Sequence, residues 1–264
     1  DEPAFKTPFR LILEIPEAEL AFANAPQTNL GQEPVDGRGY KSVVFAQTRP
    51  LPTYLVAFAV GPFEVVEAGT AGGNKTPVRI IVPAGRSAEA AYAAKVTGPL
   101  LERLEAYTAI PYPYEKLDHI AVPQQRGAME NPGLITYGTA TILGDPTVRD
   151  LRLERGYVAL TAHELGHIWF GDYVTTAWWD DLWLNESFAT WISAKIVDEM
   201  HPDWGQASAN VLARSQVMGD DVLASARRIR QPIASHHDIA NAFDAITYQK
   251  GAAVLRMIEA FYGE

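Results

Sequence analysis

The sequence contains no cysteine, so neither a disulfide framework nor a thiolate metal site is available, and any transition metal must be held by His, Asp or Glu. Positive charge is scarce: 22 Lys and Arg face 32 Asp and Glu, giving a net charge of −10. With no cluster of Lys and Arg, a nucleic-acid backbone is excluded as the expected partner, and a neutral or cationic substrate fits better. Long apolar runs are also missing. The stretch 54–60 falls far short of the roughly 20 residues that span a bilayer. The opening residues Asp1-Glu2-Pro3-Ala4-Phe5 lack the charged and apolar regions of a signal peptide, and the compartment stays open. What is plentiful is apolar content, 47% of 264 residues, enough for one large core or two modest ones.

The chain reads as a mixed α+β protein. Phe9, Leu11, Leu13 and Ile15 alternate with their neighbours, and further strands are expected at 43–46 and 54–60. The small-residue tract 68–74 marks a domain boundary or a long hairpin. A strand at 78–82 precedes an Ala-rich helix, capped by Ser87 and running to about 107, with a kink expected at Gly98-Pro99. Strands at 117–122 and 134–137 follow, then helices at 150–170, 184–200, 206–219 and 240–262. There is no internal repeat.

His163-Glu164-Leu165-Gly166-His167 matches H-E-x-x-H within an apolar helix. Side chains four apart on a helix share one face, so both imidazoles can converge on one ion. A catalytic zinc has three protein ligands and one open position. Glu186, separated from His167 by 18 residues and opening a second amphipathic helix, is the expected third ligand. The alternative is two hydrogen-bonded core histidines and a carboxylate favoured at a helix start. The other histidines, His119, His201, His236 and His237, lack ligand spacing and are expected at the surface or behind the ligands. Trp178-Trp179-Asp180-Asp181 reads as loop anchoring, with Asp180 or Asp181 a candidate to orient a ligand imidazole.

Together with Gly127-Ala128-Met129-Glu130-Asn131 upstream, this arrangement resembles the M1 family of zinc aminopeptidases, the gluzincins. Asp1-Glu2-Pro3-Ala4-Phe5-Lys6, Tyr54-Leu55-Val56-Ala57-Phe58, Trp183-Leu184-Asn185-Glu186 and Tyr248-Gln249-Lys250-Gly251-Ala252 match in the family's order across the whole chain. The resemblance implies that residues 1–70 close an N-terminal β-sheet domain and that 71–264 form most of a thermolysin-like catalytic domain. It also implies a fragment: the family's upstream strands, with a second amine-binding Glu, and its helical C-terminal domain are expected to be missing.

On this resemblance the protein is a zinc-dependent aminopeptidase with one Zn2+ per chain, acting on peptides with a free N-terminus. His163, His167 and Glu186 hold the metal, Glu164 is the general base, and Tyr248, 62 residues beyond Glu186, donates to the oxyanion. Glu130 pairs with the substrate ammonium, while Gly127, Ala128, Met129 and Asn131 complete a substrate-binding loop. Pro132 stands where many members carry a large residue and is expected to stiffen that loop. Three alternatives are a zinc endopeptidase, an epoxide hydrolase of an M1 branch, and a zinc-binding fragment with little activity whose truncated faces allow self-association.

Overall fold

The computed structural model describes residues 2–28, 34–35 and 39–263. The chain packs as two compact units, one of Phe5–Leu160 and one running from Thr161 onward together with Glu2–Ala4.

The first unit begins with short strands: β1 (Ile12–Pro16), β2 (Leu20–Ala23), β3 (Pro34–Val35), β4 (Tyr40–Val44) and β5 (Phe58–Gly61). They pair antiparallel as β1-β4-β3 and β2-β5. Ile15, Ala21, Ala23, Val43 and Phe45 form their core, with Leu11 and Leu13 against it, as the alternation requires. Within 54–60 only the end is strand, because Thr53–Leu55 forms a 3₁₀ turn.

A five-stranded mixed sheet follows, built from β6 (Phe63–Ala71), β7 (Thr76–Pro83), β8 (Leu117–Val122), β9 (Ala128–Met129) and β10 (Leu134–Gly138) in the order β6-β7-β8-β10-β9. The tract 68–74 is the turn end of the antiparallel β6–β7 hairpin, whose ladder slips between Glu67 and Thr70. β8 runs parallel to β7 and β10, and β9 lies antiparallel to β10 at one edge. Helix α1 (Ala91–Thr108) packs on β6 and β7. It buries Leu100, Leu101 and Leu104 completely, at about 1.5–3 kcal/mol for each such side chain. Pro99 sits inside one continuous helix. Ser87 caps nothing; its hydroxyl donates to Glu64, and a 3₁₀ turn, Ser87–Ala90, leads into α1.

β8 is buried along nearly its whole length, and its two polar residues are satisfied in different ways. Asp118 accepts both arms of Arg79 and the ammonium of Lys116, each at 2.7 Å. His119, expected at the surface or behind a ligand, is instead a core residue with no exposed surface. Its Nδ1 lies 3.0 Å from the Tyr157 hydroxyl, and its ring stacks on Tyr137. A histidine can replace an apolar side chain here because it stays neutral: burial pushes its pKa down to about 3.

After the short helix α2 (Thr139–Ile142), α3 (Leu151–Trp169) continues past residue 160 into the second unit. There α4 (Leu182–Met200), α5 (Gln206–Asp221), α6 (His236–Ile239) and α7 (Gly251–Tyr262) follow. The stretch 240–262 is not one helix: a 3₁₀ turn, Ala240–Ala242, and a π-helical turn, Ile246–Lys250, precede α7. Among the described residues no helix is long and apolar enough to cross a membrane. Apolar side chains are exposed on α5 and α7, at Val211, Leu212, Met257 and Phe261.

Candidate active site

Three donor groups meet in the second unit. Nε2 of His163 and Nε2 of His167 are 3.1 Å apart, and each lies 3.3 Å from Oε2 of Glu186. Both histidines project from one face of α3, one turn apart, and Glu186 comes from the second turn of α4. The helices approach closely because of Gly166: a Cβ there would sit 2.8 Å from Ile192 Cγ2 and 3.3 Å from the Ala189 backbone. Gly166 is thus a requirement of packing that the motif's spacing does not reveal.

The triangle can be tested against a metal. Zinc–nitrogen and zinc–oxygen bonds of about 2.0–2.2 Å give a tetrahedral edge of about 3.3–3.6 Å, since the edge is roughly 1.63 bond lengths. The two His–Glu separations of 3.3 Å meet the lower end of this range and the His–His separation of 3.1 Å is about 0.2 Å short of it, so a small outward shift of the rings would let the three atoms form one face of such a tetrahedron, with the fourth corner open. The donor set, two imidazoles and a carboxylate without thiolate, is that of a catalytic rather than a structural zinc. Among the described residues no other group of three such side chains comes together.

The surroundings complete the case. His167 Nδ1 lies 3.2 Å from the Phe170 carbonyl, which can only accept, and a proton on that nitrogen leaves the Nε2 lone pair for a metal at the centre of the triangle. His163 Nδ1 lies 3.5 Å from Thr190 Oγ1. These orienting groups come from the end of α3 and the middle of α4, not from Asp180 or Asp181. Asp180 accepts the Ile233 amide at 2.7 Å and Asp181 holds Arg230, so this segment anchors a loop.

Glu164, the residue after the first histidine, is buried. Tyr248 lies in the π-helical turn, its ring centroid 6.0 Å from that of His163 and nearly parallel to it. His201 is elsewhere, stacked on Trp204 at 3.7 Å. The side chains of His236 and His237 lie outside the described ones.

In the first unit, Ala128 and Met129 form β9, paired to Tyr137 and Thr136. Gly127 adopts a positive φ of 69° and its carbonyl accepts the Gly138 amide at 2.9 Å. Glu130 and Asn131 are buried at the end of this strand. The Asn131 amide donates to the Leu55 carbonyl at 3.2 Å, and Asn24 bridges Leu55 and Pro132 through two bonds of 2.9 Å. The loop is therefore tied down by polar side chains, with Pro132 supplying an acceptor.

Comparison with known proteins identifies the lineage: residues 92–264 match the Peptidase family M1 domain. The chain belongs to peptidase family M1. Aminopeptidase M1-A of Oryza sativa subsp. japonica is 40% identical over 264 residues, covering all of this chain and 29% of that protein. Aminopeptidase M1 of Arabidopsis thaliana is 37% identical over 264 residues, with 100% and 29% covered. Aminopeptidase N of Homo sapiens is 39% identical over 277 residues, with 100% and 28% covered. This M1 chain thus spans under a third of the length of these relatives, and it retains the family's β-rich segment followed by a mixed α/β region.

Proposed function

We propose that this M1 chain is the catalytic portion of a zinc-dependent aminopeptidase that hydrolyses the N-terminal residue from peptides. The observation that carries the reading is the triangle of His163, His167 and Glu186, with edges of 3.1–3.3 Å, beside the stacked ring of Tyr248. In this reading residues 1–70 belong to the close of a β-domain, 71–264 to a thermolysin-like catalytic domain, and each chain takes one zinc.

Zinc bound by the triangle would supply Lewis acidity, polarising the scissile carbonyl and lowering the pKa of water to about 7. Glu164, adjacent in sequence to a ligand but outside the triangle, takes the proton of the attacking water and passes it to the departing amine. Tyr248 donates its phenolic hydrogen bond to the oxyanion that attack creates. A single such donor is worth roughly 2.7–4 kcal/mol in other hydrolases. Gly127, Ala128 and Met129 present edge backbone to which an extended peptide can add as a further strand. Glu130 pairs with the substrate ammonium, which makes the enzyme an exopeptidase, and Asn131 holds the loop. The relatives' own names, all aminopeptidases, support this assignment.

The test compares an alanyl peptide with its N-acetylated twin in zinc-loaded protein, with a chelator control and Glu164→Gln. Cleavage of the free-amine peptide alone, abolished by chelator and by Glu164→Gln with zinc retained, is the expected result. Equal cleavage of both peptides establishes an endopeptidase instead. A second reading, metal binding without turnover, draws on the exposed Val211, Leu212, Met257 and Phe261. It predicts stoichiometric zinc and no cleavage of either peptide.

A further inference from the structure

The π-helical turn that carries Tyr248 is held by more polar contacts than a surface turn needs, and they converge on the preceding residue. Thr247 is almost fully buried, and each of its polar groups is occupied. Its amide donates to Asp244 Oδ1 at 3.2 Å, its hydroxyl accepts from Arg227 at 2.5 Å, and its carbonyl accepts from Ser187 Oγ at 2.7 Å. Ser187 is the neighbour of the ligand Glu186 on α4. Contact between the two elements is close there, since a Cβ on Gly251 would collide with the Ser187 hydroxyl.

Asp244 organises the start of the turn. Its Oδ1 also accepts the Ile246 amide at 2.9 Å, and its backbone carbonyl accepts the Tyr248 amide at 3.1 Å. Arg227 grips the same carboxylate with Nε, at 2.8 Å, and with Nη2. Nη2 further donates to the Ala242 carbonyl at 3.1 Å, and Nη1 to the carbonyls of Arg228 and Ile229 at 3.0 and 3.3 Å. A guanidinium has five N–H donors. All five are directed at protein acceptors, so Arg227 is not built to receive a substrate carboxylate. Burial pushes the Asp244 carboxyl up, but Arg227 and the amides hold it below the usual range.

We infer that Arg227 and Asp244 form a clamp that positions Tyr248 for its work on the oxyanion, with Ser187 fixing the same turn to the helix that carries Glu186. The inference rests on the proposed role of Tyr248. Neither clamp residue touches substrate; both act by denying the turn alternative conformations, and a misplacement of about 1 Å at a reacting group can cost on the order of 100-fold in rate.

The experiment uses the zinc-loaded chain carrying Asp244→Asn, Tyr248→Phe or both. It measures kcat, KM, zinc content and amide hydrogen exchange across 244–250. Asp244→Asn is expected to lower kcat by about 10- to 100-fold with KM and zinc unchanged. Exchange at the Ile246 and Thr247 amides should quicken, and the substitution should add nothing further in the Tyr248→Phe background. Multiplicative losses in the double variant, or an unchanged kcat in Asp244→Asn while Tyr248→Phe is impaired, overturn the clamp alone. An unimpaired Tyr248→Phe overturns the role assigned to the tyrosine, and the clamp with it. Should Asp244→Asn not fold, Arg227→Lys keeps the charge but loses the planar fork, and the same readouts apply.

Discussion

Replacing Gly166 by Ala sets two physical effects against each other. Gly166 lies inside α3, and a Gly-to-Ala change in a helix interior favours the helix by about 1 kcal/mol. The new Cβ, however, would meet Ile192 Cγ2 at 2.8 Å, where ordinary contact begins at 3.4 Å, so α3 and α4 must part by the difference, 0.6 Å. Overpacking of this kind costs about 1–3 kcal/mol, which cancels or exceeds the propensity gain. The sharper effect falls on the metal site, because Glu186 rides on α4 while both histidines ride on α3. Ligand constellations tolerate displacements of about 0.5 Å. Zinc affinity in Gly166→Ala should therefore fall on the order of 10- to 100-fold, the scale seen when supports of a metal site are disturbed. Competition with a fluorescent zinc chelator measures it. Adding Ile192→Ala removes the colliding methyl and should restore most of the affinity even though it opens a cavity of its own. If Gly166→Ala binds zinc as tightly as the parent and melts higher, helix approach does not set the triangle and the packing argument is wrong.

Glu186→Gln keeps the side chain's shape but removes its charge, and zinc loading should fall steeply while the far-ultraviolet circular dichroism spectrum stays unchanged; normal loading would remove Glu186 from the ligand set. His119 gives a pH signature. Its folded pKa of about 3 lies below the ordinary 6.5, so between those values the unfolded chain binds a proton that the folded chain refuses. Its contribution is complete above about pH 6.5 and lost as pH falls toward 3, at up to about 1.4 kcal/mol per pH unit, so His119→Gln should flatten the acid side of the stability profile measured by urea titration. Gly133→Ala meets both a positive φ of 72° and the Asn24 carbonyl, and thermal melts should show a clear loss of stability; an unaltered melting temperature would refute the close approach.

Much of the site was legible because its chemistry is local. Four-residue spacing on a helix places His163 and His167 together whatever the rest of the chain does, and the run around Glu186 declares a second helix. The helices expected at 150–170, 184–200 and 206–219 were readable to within a few residues at their ends, whereas 240–262 was not, because a 3₁₀ turn and a π-helical turn precede α7. Polar residues whose partners are distant in sequence were not readable. His119 looked like a surface histidine because Tyr157, 38 residues later, is what makes it tolerable in a core strand. Ser87 has the composition of a cap but spends its hydroxyl on Glu64. Strand β2 escaped notice because four residues carry too little alternation, and its pairing with β5 comes from far along the chain. Arg227 belongs to no motif. Only the fold collects the carbonyls of 228, 229 and 242 around it.

The π-helical turn before α7 has one more consequence. Gly251 donates its amide to the Ile246 carbonyl, five residues back rather than four, so the turn holds one residue more than an α-helix would. Each residue of an α-helix advances the chain by about 100° around the axis. The extra residue therefore works as a phase shift between two helical registers, one that aims Tyr248 and one that seats α7 against α4. Deleting a single residue from 246–250 would leave composition, hydrophobicity and helix content almost untouched, yet it would force the two registers into step and swing the phenol away from the histidines.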